Sequence, residues 1–245
     1  MTITTLTIRQ FLRSKSLLVV AAISVFPVLF AILPHFLNDT FTIRDMREIM
    51  SDIIYLGLVA ATLLPLATLV LSTSALGDEV EDKTLQYLAL KPVSRFRIAF
   101  EKWLAVILIT LPVIWIGIMA TWVVLAWGRF DALQDMIWPL LASSAIGVLG
   151  FGSVFLALSL FIPRALLFGV FYVFIWESTL SRFLPGIRNI SISHYTRSLF
   201  VRLLDDRRVT IDGPSATTTI VITVACIIVV SLLLATWRLR TMAME

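Results

Sequence analysis

Cysteine is almost absent from this sequence: Cys226 is the single one in 245 residues, and it lies inside an apolar run. A lone thiol excludes an internal disulfide framework and a thiolate metal cluster, leaving the ordinary role of a small apolar side chain. Histidine is scarce as well. His35 and His194 are far apart and form no H-E-x-x-H pattern, which argues against a protein-ligated zinc. Charge is the third shortage, with 15% Asp, Glu, Lys and Arg against 59% hydrophobic residues. Soluble domains hold about 25% charged residues, so a mean hydropathy of +0.95 marks a membrane chain. The net charge is +4, but the cations cluster between apolar runs instead of forming a basic face, which excludes nucleic acid as a partner. G-x-S-x-G is missing, and no His or Cys stands in a nucleophile motif. An integral-membrane enzyme is therefore the weakest of the available readings.

Long charge-free runs are what the chain does have. A spanning helix needs about 20 mostly apolar residues, and such runs occupy 16–38, 53–77, 103–128, 136–163 and 213–237. A shorter stretch, 165–181, lies between Arg164 and Arg182 and is taken as a sixth span. No small-residue cleavage pattern follows the first run, so it is expected to be retained. With six spans and an inner N-terminus, eleven Lys and Arg fall on inner segments, whereas the first two outer loops hold three Arg against six acids. The positive-inside rule then places both termini in the cytoplasm. Residues 2–15 interleave Ile3, Leu6 and Phe11 with Arg9, Arg13 and Lys15, the pattern of a helix lying in the inner interface of the bilayer. The whole reads as a single all-α integral membrane domain, 1–245.

Two polar segments break this layout. The outer segment 182–212 carries six arginines, and within it Tyr195, Leu199, Leu203 and the neighbouring Phe200 recur at helical spacing against Arg197, Arg202 and Asp206. It reads as an amphipathic helix on the outer surface, or as a gate or a contact for an outer-face partner protein. The inner loop "LGDEVEDKTLQYLALKPVSR", 76–95, holds G-x-x-x-x-D-K-T, a near miss of the phosphate-loop pattern. Asp82 replaces the glycine whose bare backbone must approach a phosphate, and Asp78, Glu79, Glu81 and Asp82 would repel the anion. A helix accounts for more of these residues. Gly77 ends the second span, Asp78 caps a new helix with Glu81 reaching back, and the acids suit its positive end. Leu85, Leu88 and Ala89 share a face, Pro92 stops the helix, and Ser94 caps the next one. Either a solvated interfacial helix or an element docking into a soluble partner fits this pattern.

"GDEVEDKTLQYLALKPVSRFRIAFEKWLA", 77–105, resembles the loop between the second and third spans of ABC type-2 permeases, above all in Thr84-Leu85 and Pro92-Val93-Ser94-Arg95. "WESTLSRFLPGIRNISISHY", 176–195, is similar to the outer segment of some members. The resemblance implies that 78–91 is a coupling helix seated on a separate ATPase through Asp78, Glu79, Glu81, Asp82, Thr84, Leu85, Tyr87, Leu88 and Pro92. It implies two ATPases and two permease copies, as a homodimer or heterodimer, in the inner cell membrane. ATP and magnesium would be bound by the ATPase, and no cofactor by this chain. It further implies short outer helices, re-entrant or on the surface, between spans 5 and 6. Lys83 stands where a Gly usually precedes the Thr, and Glu101 where a Gly often precedes the Lys.

Glu177, Arg182, Arg188, His194 and Tyr195 are the candidates for a cargo path or outer gate. An ionisable residue in or near a span is expensive, so Glu177 is read as paired with Arg182 or a similar cation, as lining the path, or as coupling protons. Pro27, Pro65, Pro112, Gly117, Gly147, Gly150 and Gly152 allow kinks and close approach within spans. On the fourth span the last three glycines join Ser143 and Ser144 in a small-residue surface, suited to packing or to lining a path. The expected function is the membrane subunit of an ATP-driven exporter-type complex. A mechanical or assembly subunit acting on outer-face partners without passing a cargo is the alternative.

Overall fold

The computed structural model describes residues 3–37, 42–81, 94–180, 191–206, 208–211 and 213–242; these residues are helical apart from short connections and include no strand. The chain opens with α1 (Ile3–Arg13), which buries Thr7 and Phe11 one turn apart. Ser14 then caps α2 (Lys15–Val25), its hydroxyl accepting from the Ser16 amide at 3.0 Å. Pro27 has no amide to continue the hydrogen-bond ladder, so the chain restarts as α3 (Pro27–Leu37) and the first apolar run is a broken rod.

A capping box starts the second span. Thr42 Oγ1 accepts from the Asp45 amide at 3.3 Å, while Asp45 Oδ2 accepts from the Thr42 amide at 2.9 Å. From there α4 (Ile43–Glu48) passes into a wide π-helical stretch (Ile49–Leu63) and then into α5 (Leu64–Glu81). Ser94 caps α6 (Arg95–Leu125), as expected, by accepting from the Arg97 amide at 3.4 Å. A short α7 (Phe130–Leu133) and a 3-10 turn lead into α8 (Ile137–Phe161). Next come α9 (Ala165–Phe171), a second π-helical stretch (Tyr172–Leu180), α10 (Ile192–Leu204) and α11 (Thr217–Thr241).

Among the described residues five stretches are long and apolar enough to cross a membrane: Lys15–Leu33, Ile43–Gly77, Arg95–Leu125, Phe130–Phe161 and Thr217–Thr241. The expected sixth is shorter, with its apolar part confined to Ala165–Glu177. Exposed tryptophans band the two ends of the bundle, Trp127 and Trp138 at one and Trp237 at the other, the usual place of aromatic residues at a bilayer interface.

Helix α8 is the hub, packing on α5, α6, α10 and α11. Small residues allow this. A Cβ on Gly152 would lie 2.9 Å from Ile107 Cδ1, and one on Gly150 would lie 3.0 Å from Ile192 Cγ2. The tightest approach is on α6, where a Cβ on Gly117 would come within 2.1 Å of the Ser24 carbonyl oxygen. Only glycine lets α2 and α6 meet backbone to backbone at that point.

Both described ends of the chain lie at one end of this bundle. Thr4 of α1 bonds Glu101 at the start of α6, Lys102 bonds Glu79 at the end of α5, and Arg238 of α11 donates to the Leu160 carbonyl at the end of α8.

Candidate functional site

At that end the sequence predicts a break at Gly77 with Asp78 as a new cap. The helix instead runs through Gly77 to Glu81 without interruption. Packing explains the correction: Ala75 and Leu76 are buried, Val80 packs on the core, and Glu79 is held from the next span, so tertiary contacts carry the helix past its glycine. Lys102 is 1% exposed, and its Nζ donates to Glu79 Oε1 at 2.5 Å. A buried ammonium requires such a partner.

Its neighbour Glu101 turns the other way. Oε2 accepts from the Thr4 amide at 3.1 Å, in the first turn of α1, and Oε1 accepts from Arg97 Nε at 2.7 Å. Glu101, which stands where the resemblance leads one to expect a Gly, therefore has a local use, since a carboxylate there satisfies an otherwise orphaned amide and meets the positive end of α1. Ser16 and Ser74 hydroxyls, 3.0 Å apart, tie the N-terminal helices to α5 as well. Of the docking residues named from the sequence, Glu79 is thus fixed in place. Asp78 and Glu81 are placed in the helix by their backbone. Asp82, Thr84, Leu85, Tyr87, Leu88 and Pro92 lie outside the described residues, as does most of 78–91.

The second site sits at mid-depth. Glu177 is 0% exposed and lies in the π-helical stretch after α9. Its Oε1 accepts from Tyr172 OH at 2.8 Å and from the Ile192 amide at 3.2 Å; its Oε2 accepts from Ser191 Oγ at 2.5 Å and from the Ser193 amide at 3.2 Å. Ser191 is the N-cap of α10, and its oxygen accepts from the His194 amide at 3.2 Å. The first three amides of α10 are thereby all satisfied, one by the local cap and two by a carboxylate brought from another element. The π geometry makes this possible. Residues five apart stand about 140° apart on an α-helix, whereas an i→i+5 repeat returns Tyr172 and Glu177 to nearly the same face.

Helix α10 corrects another expectation. Its period was legible, but it does not lie on the surface: Ile192 through Thr196 and Ser198 through Phe200 are buried. A Cβ on Gly147 would lie 2.9 Å from Thr196 Oγ1. With Ile192 against Gly150, the first turn of α10 is level with the middle of α8. The Phe200 ring lies 4.5 Å from that of Tyr55, whose hydroxyl is 2.5 Å from Ser143 Oγ. The small-residue surface of the fourth span is thus a packing surface, and much of it is occupied by α10. His194 Nε2 lies 3.2 Å from Ser215 Oγ, just before α11, while Tyr195 and Leu199 pack on Ile220. Among the gate candidates the structure therefore gathers Glu177, His194 and Tyr195 around one helix. Arg182 and Arg188 lie outside the described residues.

Sequence reasoning missed Tyr172, Ser191 and the Lys102–Glu79 tie. Ser191 with His194 three residues later carries the signal of an N-cap, but nothing in the spacing pointed to Glu177 as its partner. It also missed a cluster at the opposite end of the bundle from Glu101, in which Arg47 pairs with Asp135 and lies 3.8 Å from Asp206, bordering a cavity of about 200 Å3 with Arg44, Glu48 and Asp52. A larger cavity of about 430 Å3 opens at the other end, between Gly77 and Val80 on α5 and Ile162–Leu167.

The described residues hold no group of three or more His, Cys, Asp or Glu suited to a metal ion. Fold and composition define a multi-pass, all-helical membrane protein. The chain belongs to the ABC-2 transporter family: the model described as "ABC-2 family transporter protein" matches residues 11–180, more than half of its length. Members are the transmembrane permease components of ABC transporters, not the ATPase, and the family generally pairs with an ABC ATPase. A search of curated proteins found no match.

Proposed function

We propose that this chain is the permease subunit of an exporter-type ABC complex in the inner cell membrane. Two copies of it would work with two copies of a separate ATPase, which binds ATP and magnesium. The segment 78–91, whose first four residues continue α5, carries the coupling element, with Asp78, Glu79, Glu81, Asp82, Thr84, Leu85, Tyr87, Leu88 and Pro92 as its docking residues. In this reading the end of the bundle holding α1, Glu79 and Arg238 faces the cytoplasm, together with both termini. The sixth crossing is shared between the stretch beginning at Ala165 and the outer half-helix α10. The observation that carries the reading is the buried Lys102–Glu79 tie in a chain of this family. It joins the second and third spans at the base of the proposed docking loop, so a push on that loop reaches both spans together.

The test is recovery of the partner. A tagged chain purified in mild detergent is expected to bring down, in near-equal amount, a protein carrying G-x-x-x-x-G-K-[ST]. Leu85→Asp and Leu88→Asp place a charge in the docking face and are each expected to lower that recovery about tenfold or more. Full recovery with both variants rules the face out. ATP hydrolysis by the complex without passage of any cargo in vesicles would instead mark the mechanical reading.

A further inference from the structure

We propose that Glu177 is a positioning residue that locks α10 to the stretch rising from Ala165, so that the outer half-helix moves with it when the ATPase closes on ATP; this rests on the permease reading above. A helix that needs only its own start satisfied can use a local cap, and α10 already has Ser191. A carboxylate imported from another element, taking the Ile192 and Ser193 amides as well as two hydroxyls, does something a local cap cannot. It makes the first turn of α10 depend on where the 172–180 stretch stands.

That stretch is itself geared to the docking end. A Cβ on Gly169 would lie 2.2 Å from Leu69 Cδ1, so α9 lies directly against α5, whose last turn carries Glu79, held by Lys102. Displacement of α5 therefore reaches α9 through packed side chains, and α10 through three hydrogen bonds on one carboxylate. At its other end α10 holds the loop before α11, with Arg202 donating to the carbonyls of Pro214 and Ser215. Glutamine fits the same space, but its amide nitrogen is a donor facing a backbone amide that cannot turn, so either the Ile192 or the Ser193 amide loses its acceptor, while the hydroxyl on that side can reorient to accept.

The experiment uses the full complex with its ATPase, in nanodiscs. Cys226→Ala removes the natural thiol, and Leu203→Cys, at a position 37% exposed near the end of α10, serves as reporter. A membrane-impermeant maleimide then measures its labelling rate without nucleotide and after trapping with ATP and vanadate. With Glu177 intact the rate is expected to change about threefold or more between the two states. In Glu177→Gln the change is expected to vanish while the ATPase still co-purifies. Tyr172→Phe keeps the ring and loses one donor, so it is expected to shrink the change; it serves as the reading if Glu177→Gln does not fold. A nucleotide response equal to that of intact Glu177 in whichever of these variants folds overturns the proposal. So does the absence of any response with Glu177 intact while the ATPase co-purifies, a result that leaves the permease reading standing. Failure of the ATPase to co-purify with the unmodified chain removes the permease reading, and the proposal with it.

Discussion

Two glutamates in this chain reach the first turn of a helix that is not their own, and their surroundings differ. Glu101 meets α1 at the end of the bundle proposed to be the docking end, with 11% of its side chain exposed and the largely exposed Arg97 beside it. Glu177 meets α10 at mid-depth with none exposed. At the first site Arg97 stands largely in water, which can replace its share of the contact. At the second, each lost acceptor leaves a donor with no substitute. The same capping chemistry is therefore a modest surface tie in one place and a condition for seating a helix in the other.

The largest effect is expected from Glu177→Ala. It strips two backbone amides and two hydroxyls of their acceptor and leaves a hole between α10 and the 172–180 stretch. A cost of about 3–5 kcal/mol follows from orphaned buried donors. That should appear as a fall of roughly 10 °C in the unfolding midpoint of the purified protein. A fall of only a degree or two would mean that water reaches this site and that the two glutamates are equivalent.

Lys102→Met comes next and sharpens the contrast at the docking end. Lys102 is buried, but the Glu79 side chain keeps 18% of its exposure and can turn toward water. Losing one partner of a buried pair costs about 3 kcal/mol or more, and the exposure of Glu79 places this case near the lower end. Adding Glu79→Leu removes the orphaned charge and is expected to recover most of the midpoint. The same double variant should recover less of the ATPase than the unmodified chain, because a hydrophobic pair does not fix the direction of the helix end. Stability restored together with full ATPase recovery would show that the tie is packing alone.

What the sequence made legible follows from how local each signal is. Charge-free length marked the apolar runs, Ser94 was correctly read as a cap because its partner is three residues away, and the period of 192–204 was plain in Tyr195, Leu199 and Leu203. Gly77 misled because a glycine ends a helix only when nothing beyond it is packed, and Val80 and Glu79 are. The surface placement of α10 failed for a related reason. The face carrying Ile192, Thr196 and Phe200 meets glycines and Tyr55 of other spans, and no pattern within the helix records them. Glu177 was singled out as an expensive charge, yet its partners Tyr172 and Ser191 depend on a π-helical register and on the return of the chain at 191. Lys102 and Glu79, 23 residues apart, and Glu101 and Thr4, 97 apart, meet only because three helices, α1, α5 and α6, converge at one end.

Glu101→Gln is expected to have the smallest effect of the three. The amide oxygen of glutamine can still accept from the Thr4 amide, so the shape of the contact survives. What is lost is the charge, and with it the pull on Arg97 and on the positive end of α1. Arg97 is 61% exposed in its side chain and returns to water at little cost. A change of about 1 kcal/mol or less is therefore expected, typical of an exposed pair and of a charge near a helix start. It should be confined to α1, read as faster amide exchange over residues 4–11 with the rest of the bundle unchanged. Because the lost part is electrostatic and solvent-facing, 1 M salt should erase most of the difference between the variant and the unmodified chain. Salt should do little to the deficit of Glu177→Ala, which comes from donors that solvent does not reach. If salt instead relieved both deficits equally, burial would not be what separates the two glutamates.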